Sequence, residues 1–242
     1  MAAPSAQTLQ RLADETGHQP GTLEKVLRLL GLLQEIARDR VLADRLVLKG
    51  GTALNLFHLA LDRLSVDIDL NHVGALGRAA MEAERPDVNA ALDRLLASRG
   101  YGIRRRPEGH AGGKWLARYS SALGGNVTLE VDVNHMARQP LFGMARMDSP
   151  PLNGIQARSV LVLDLHEIVA GKLVALIDRH AARDLYRREA YPLHRRARPG
   201  PDQGCRAGHG SQWMTRLAHQ VDRRHRGRSA RVPPQTHNLP AT

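Results

Sequence analysis

The segment Ser65-Val-Asp-Ile-Asp-Leu70 puts two carboxylates two residues apart. In an extended chain, side chains alternate between faces, so Asp67 and Asp69 share one face with Ser65 while Val66, Ile68 and Leu70 take the other. Two carboxylates so placed repel unless a cation lies between them, and hard oxygen donors suit Mg2+. By itself, Asp-x-Asp equally describes an amphipathic edge strand with a wet acidic face. The preceding Lys49-Gly-Gly-Thr52 adds to the case. Glycines let backbone N–H groups approach an anion closely, a helix start adds its dipole, and the Thr52 hydroxyl can cap or touch a phosphate. Lys49, Gly50, Gly51, Thr52 and Ser65 are therefore candidates for holding phosphates, and Asp67 and Asp69 for holding their metal. A third acid comes from Thr128-Leu-Glu-Val-Asp-Val133, where Glu130 and Asp132 share a face and alternation does not choose between them.

These residues need a frame. Thr22–Arg38 has Leu23, Val26, Leu27, Leu30, Leu33 and Ile36 at helical spacing, with Thr22 as N-cap. A strand over Arg45–Lys49, a helix over Thr52–Leu61 and a strand over Arg63–Leu70 follow. The pattern predicts a helix over Asp87–Arg99, starting after Pro86. Strands follow near 101–106, 114–120 and 127–133, the last two joined by a Gly124-Gly125-Asn126 turn. Asp164 caps a helix predicted over 164–180, with Glu167 three residues on as in a capping box. The sum is an α+β fold, an α/β palm with a small mixed sheet flanked by helices. Gly109–Lys114 reads as a hairpin loop, because Glu108 and Trp115 break a Walker pattern. His72 and His135, near the acidic face, read as exposed.

Four segments in order resemble a known family: 48–56 (Leu-Lys-Gly-Gly-Thr-Ala-Leu-Asn-Leu), 63–70, 131–134 with Pro140-Leu-Phe142, and 167–176 through Arg183-Asp-Leu-Tyr186. The chain over residues 20–186 is similar to the AbiEii/AbiGii toxins. The resemblance implies a nucleotidyltransferase fold, nucleotide transfer from an NTP in the presence of Mg2+, a tRNA acceptor, and arrest of growth in the cytoplasm. It also implies an antitoxin partner with a DNA-binding domain. It selects Asp132 over Glu130 as third acid, and makes Lys172 and Asp184 catalytic beside Asp67, Asp69 and Asp132. In one straight helix, Lys172 and Asp184 would lie about 18 Å apart along the axis and about 120° apart around it. The resemblance therefore requires a break near 180–182.

Composition sets the outer limits. Of 242 residues 42% are hydrophobic, and the formal charge is +11. No apolar run is long enough for a membrane span, no leader pattern opens the chain, and the single Cys205 rules out a disulfide framework. The charge is uneven: residues 187–242 hold 12 Arg against 3 acids, and 1–186 hold 23 basic against 21 acidic residues. From Arg187 the chain has no Lys, 6 of 13 Pro and no sustained periodicity, so 1–186 reads as the folded domain and 187–242 as a basic, disordered tail. In place of the family's helical C-terminal lobe, this stretch reads either as a nucleic-acid-binding tail or as a shifted reading frame. Two further readings stay open: an inactive remnant binding nucleic acid through the tail, and a nucleotidyltransferase acting on a small molecule or protein. Limited trypsin digestion should remove the tail quickly and leave a resistant core ending near residue 186; a resistant tail would refute its assignment as disordered.

Overall fold

The protein is seen in a computed structural model, in which residues 4–59, 64–109 and 112–175 are described. Seven strands form one mixed sheet: β1 (Leu46–Lys49), β2 (Ile68–His72), β3 (Gly102–Gly109), β4 (Gly112–Ser120), β5 (Asn126–Asn134), β6 (Met144–Met147) and β7 (Val160–Leu163), in the order β3-β4-β5-β2-β1-β7-β6. β1 runs parallel to β7, and β2 parallel to β5; the other pairs are antiparallel. The helices are α1 (Ala6–Thr16), α2 (Pro20–Arg38), the short α3 (Gly50–Ala53), α4 (Arg78–Ser98) and α5, residues 165–175. The α/β palm expected from the sequence is present, with β6, β7 and α1 added to it.

Helix α2 is the packing centre. Its heptad-like stripe is so wide that Leu23, Val26, Leu27, Leu29, Leu30, Leu32, Leu33 and Ile36 are all buried. The helix starts at Pro20, two residues before the expected Thr22 cap; Pro at the first position needs no intrahelical N–H partner. Glu24, 1% exposed, sits on this helix. It is satisfied by Arg28, by Ser121 Oγ at 2.5 Å and by the Ala122 N–H at 3.1 Å, which ties α2 to the β4–β5 turn. In that turn Gly124 and Gly125 have φ of 96° and 73°, which supports the hairpin expectation.

Other boundaries differ. α4 runs through Pro86 and starts at Arg78. Met81, buried one turn in, anchors the stretch that the proline rule would have left out. β2 begins at Ile68, so residues 64–67 approach the sheet without pairing in it. The helix expected from Thr52 begins at Gly50 and ends in a π-helical turn, Leu54–His58. That turn carries His58 Nε2 to the Leu163 carbonyl of β7, 2.8 Å away. Asp164 caps α5 by accepting the His166 N–H at 2.8 Å. Glu167 does not complete a capping box. Its Oε2 accepts the N–H groups of Leu141 (2.7 Å) and Phe142 (2.9 Å) and pins that loop to the helix.

His72 and His135 are buried, contrary to the exposed reading, because β2 and β5 carry them on to the core side of the sheet. His72 Nε2 faces the Glu84 carboxylate at 3.3 Å, and the two Nδ1 atoms are 3.1 Å apart. A carboxylate only accepts, so His72 donates from Nε2 and accepts at Nδ1, and His135 donates from Nδ1. His135 Nε2 is then a buried acceptor without a partner among the described residues. Burial lowers the His135 pKa to about 4, and the charges of Arg85 and His72 act the same way. Burial also lowers that of His72, against the opposing Glu84; Arg45 and Arg138 add to the lowering.

A depressed histidine pKa means that the unfolded chain binds the proton more readily. The associated stability is present above pH 6.5 and lost as pH falls toward about 4. Denaturant unfolding at pH 7.5 and 4.5 should show a loss of about 2 kcal/mol or slightly more from His135 alone. His135→Asn should shrink that loss; an unchanged pH dependence would contradict the neutral buried pair.

Candidate active site

One row of side chains crosses four adjacent strands. Lys49 of β1 pairs with Asp69 of β2, Asp69 with Asp132 of β5, and Asp132 with Lys114 of β4. Directly paired residues project from the same face. Their chain neighbours Leu48, Ile68, Leu70, Val131, Val133 and Trp115 are buried on the reverse. With about 4.8 Å between strands, the row spans about 14 Å. It reads lysine, aspartate, aspartate, lysine.

Asp132, not Glu130, lies level with Asp69, which is the structural ground for the choice that alternation left open. Glu130 is one step back on the same face, opposite Leu116. Lys114 Nζ bridges the two acids, 2.5 Å from Glu130 Oε2 and 3.1 Å from Asp132 Oδ2. The hydrogen bond to Glu130 raises the Lys114 pKa; burial opposes it, and Asp132 adds to the rise. Asp67 precedes β2 and is exposed. Its position is set from behind: Thr52, 0% exposed, donates its hydroxyl to the Asp67 carbonyl at 2.5 Å. Thr52 is therefore a brace for the acidic segment, and its hydroxyl is committed to that bond.

The glycines are fixed by the same acids. Gly50 has φ of 76°, and a Cβ there would run into the Asp69 carboxylate. A Cβ at Gly51 would lie 2.7 Å from Ser65 Oγ. The loop thus passes directly over Asp69 and Ser65 with only backbone between. Its helical continuation is four residues before the π turn, so the glycine backbone is what this loop brings to the site.

Burial raises the Asp69 pKa. Lys49 opposes this, the like charges of Asp132 and Asp67 add to it, and Lys172 of α5 opposes it. The charge of Lys172, on a separate element, thus acts on Asp69. Asp184 lies outside the described residues, as do Arg63 and the tail. Among the described residues, no three His, Cys, Asp or Glu side chains already converge on one metal position. Mg2+ does not require such a cage, since it keeps several waters and commonly binds through one or two carboxylates plus substrate phosphates. Three carboxylates whose mutual repulsion adds to the cost of charging Asp69 fit a divalent cation. Lys114 was missed from sequence; its signal was the register of β4 against β5. Asn71, beside Asn134 in the next row, was also missed, and its buried Oδ1 has no partner among the described residues.

A mixed sheet with acids on two parallel strands and a Gly-Gly loop against one of them defines a nucleotidyltransferase-like palm. Residues 31–186 match the family described as nucleotidyl transferase AbiEii toxin, Type IV TA system, and the chain belongs to that family. No curated protein matches the sequence. Similar solved structures include these two. One is MenT4, nucleotidyltransferase toxin Rv2826c from Mycobacterium tuberculosis H37Rv, with 20% identity, TM-score 0.47, and coverage of 69% of this chain and 57% of that one. The other is JHP933 from Helicobacter pylori, with 17% identity, TM-score 0.39, and coverage of 60% and 53%. The chain thus spans little more than half the length of either.

Gly50→Ala and Gly100→Ala separate the role of the loop from backbone strain. Both positions have φ near 77°, but nothing lies within 4 Å of a Cβ at Gly100. Each should lose about 1 kcal/mol through strain. Gly50→Ala should lose more in denaturant unfolding and also weaken nucleotide binding, because Asp69 must move. Equal effects would remove the loop–Asp69 contact from the site.

Proposed function

We propose that the chain is a Mg2+-dependent nucleotidyltransferase that moves a nucleotide from an NTP to the 3′ end of a tRNA. In this reading it acts in the cytoplasm as a growth-arresting toxin held in check by an antitoxin with a DNA-binding domain. The observation that carries the proposal is the row Lys49–Asp69–Asp132–Lys114 with the Gly50-Gly51 backbone lying on it. Family membership supports the chemistry and the antitoxin. No helix among the described residues is long and apolar enough to cross a membrane.

In the proposed reaction an RNA ribose oxygen attacks the α-phosphorus, the α–β bridging P–O bond breaks, and pyrophosphate leaves. Asp67, Asp69 and Asp132 would hold Mg2+, which when bound shares substrate phosphate oxygens and eases ionisation of the attacking hydroxyl. Asp132, on the same face but one strand further from the glycine loop than Asp69, accepts the hydroxyl proton. Lys49 and the glycine backbone cradle the triphosphate, with Ser65 beneath. Lys172, whose charge already reaches Asp69, faces the developing charge on pyrophosphate. Asp184 keeps the catalytic place that the family pattern gives it.

Incubating full-length protein with tRNA, each labelled NTP and Mg2+ tests the assignment. Label should appear on tRNA with the wild type and fall about 100-fold or more with Asp67→Asn, Asp69→Asn or Asp132→Asn. Calorimetry should show NTP binding that needs a divalent cation; equal affinity in EDTA would overturn the metal-dependent reading. A folded protein that binds NTP yet leaves tRNA unlabelled would overturn the acceptor.

A further inference from the structure

Lys114 belongs to none of the motifs that identify the family, yet it closes the charged row. The β4–β5 register places it directly opposite Asp132. Its ammonium touches two carboxylates of different standing: Asp132, level with Asp69, and Glu130, outside the acidic cluster. Glu130 and Asp132 are two residues apart on one strand face, about 7 Å along the chain. Lysine is a compact charge on a flexible stem with three donors, so one ammonium serves both and can shift between them. An arginine fork would be tied to one.

We propose that Lys114 is a positioning residue that competes with the divalent cation for Asp132: the ammonium holds the carboxylate in place, yields it when the cation binds, and is retained by Glu130. The inference rests on the metal-site reading above. It explains two features together. The three aspartates are neighbours without converging, because one of them is drawn toward Lys114. Glu130, which the reaction does not use, is also the closer of the two contacts to Lys114 Nζ, at 2.5 Å against 3.1 Å. A surface ion pair serving stability alone is the competing account. The side chains of Lys114, Glu130 and Asp132 are 28%, 39% and 40% exposed, and pairs that open to water stabilise a fold little. Removing the charge should therefore leave the protein folded, so its effect on cation binding can be read.

The experiment is Mn2+ titration of the full chain, followed by electron paramagnetic resonance, with thermal unfolding as the control for folding. Lys114→Met should bind Mn2+ about tenfold more tightly than wild type, since the competing charge a few ångströms away is gone. Glu130→Gln should bind it more weakly, since the ammonium then rests on Asp132 alone. The gain from Lys114→Met should vanish when Asp132→Asn is also present. Unchanged or weaker Mn2+ binding by Lys114→Met would overturn the proposal, as would a gain that survives Asp132→Asn. Wild-type affinity in Glu130→Gln would overturn the part given to Glu130. A folded wild-type protein that binds no Mn2+ would instead overturn the metal-site reading itself.

Discussion

The parallel pairing of β2 and β5 fixes Asp69 and Asp132 side by side. No backbone adjustment short of a register slip would separate them, and a one-residue slip would turn either Ile68 and Leu70 or Val131 and Val133 out of the core. The buried face therefore enforces the electrostatic conflict on the open face. Much of the surrounding structure answers that conflict. Lys49 and Lys114 close the row at either end, and Lys172 approaches from α5. Each supplies positive charge from a different strand or helix, so the site depends on β1, β2, β4, β5 and α5 being assembled together.

The backbone around the acids is shaped to the same end. Gly50 and Gly51 lie where a side chain would collide with Asp69 and Ser65. Thr52, two residues on, reaches back to the carbonyl of Asp67. One turn of chain thereby fixes both acids of the Asp-x-Asp segment, although Asp67 lies outside the sheet. The π turn that follows keeps this segment tied to β7 through His58. Behind the acids, at the carboxyl ends of β2 and β5, the buried His72–His135 pair trades charge for packing, which links the stability of these two strands to pH.

The candidate site residues on β2 and β5 were legible as an acidic face in the sequence because strand alternation is a local rule. Val66 to Leu70 and Leu129 to Val133 state which face is buried before any partner strand is known, and the Gly-Gly loop announces a close approach. The core of α2 and the β4–β5 turn were legible for the same reason. What alternation could not supply was register. Glu130 and Asp132 are equivalent along β5, and only the pairing of Asp69 with Asp132 distinguishes them. Lys114 looked like the end of a hairpin loop until β4 was laid beside β5. His72 and His135 looked exposed because local polarity does not report which neighbours close over a strand end. Helix ends misled for a related reason: burial of Met81 carries α4 past Pro86, and Glu167 serves a distant loop rather than its own helix cap. The sequence by itself thus determined which side chains face which way, since that follows from bonds between adjacent residues. Tertiary structure decided which of them meet, since that depends on the alignment of strands far apart in the chain.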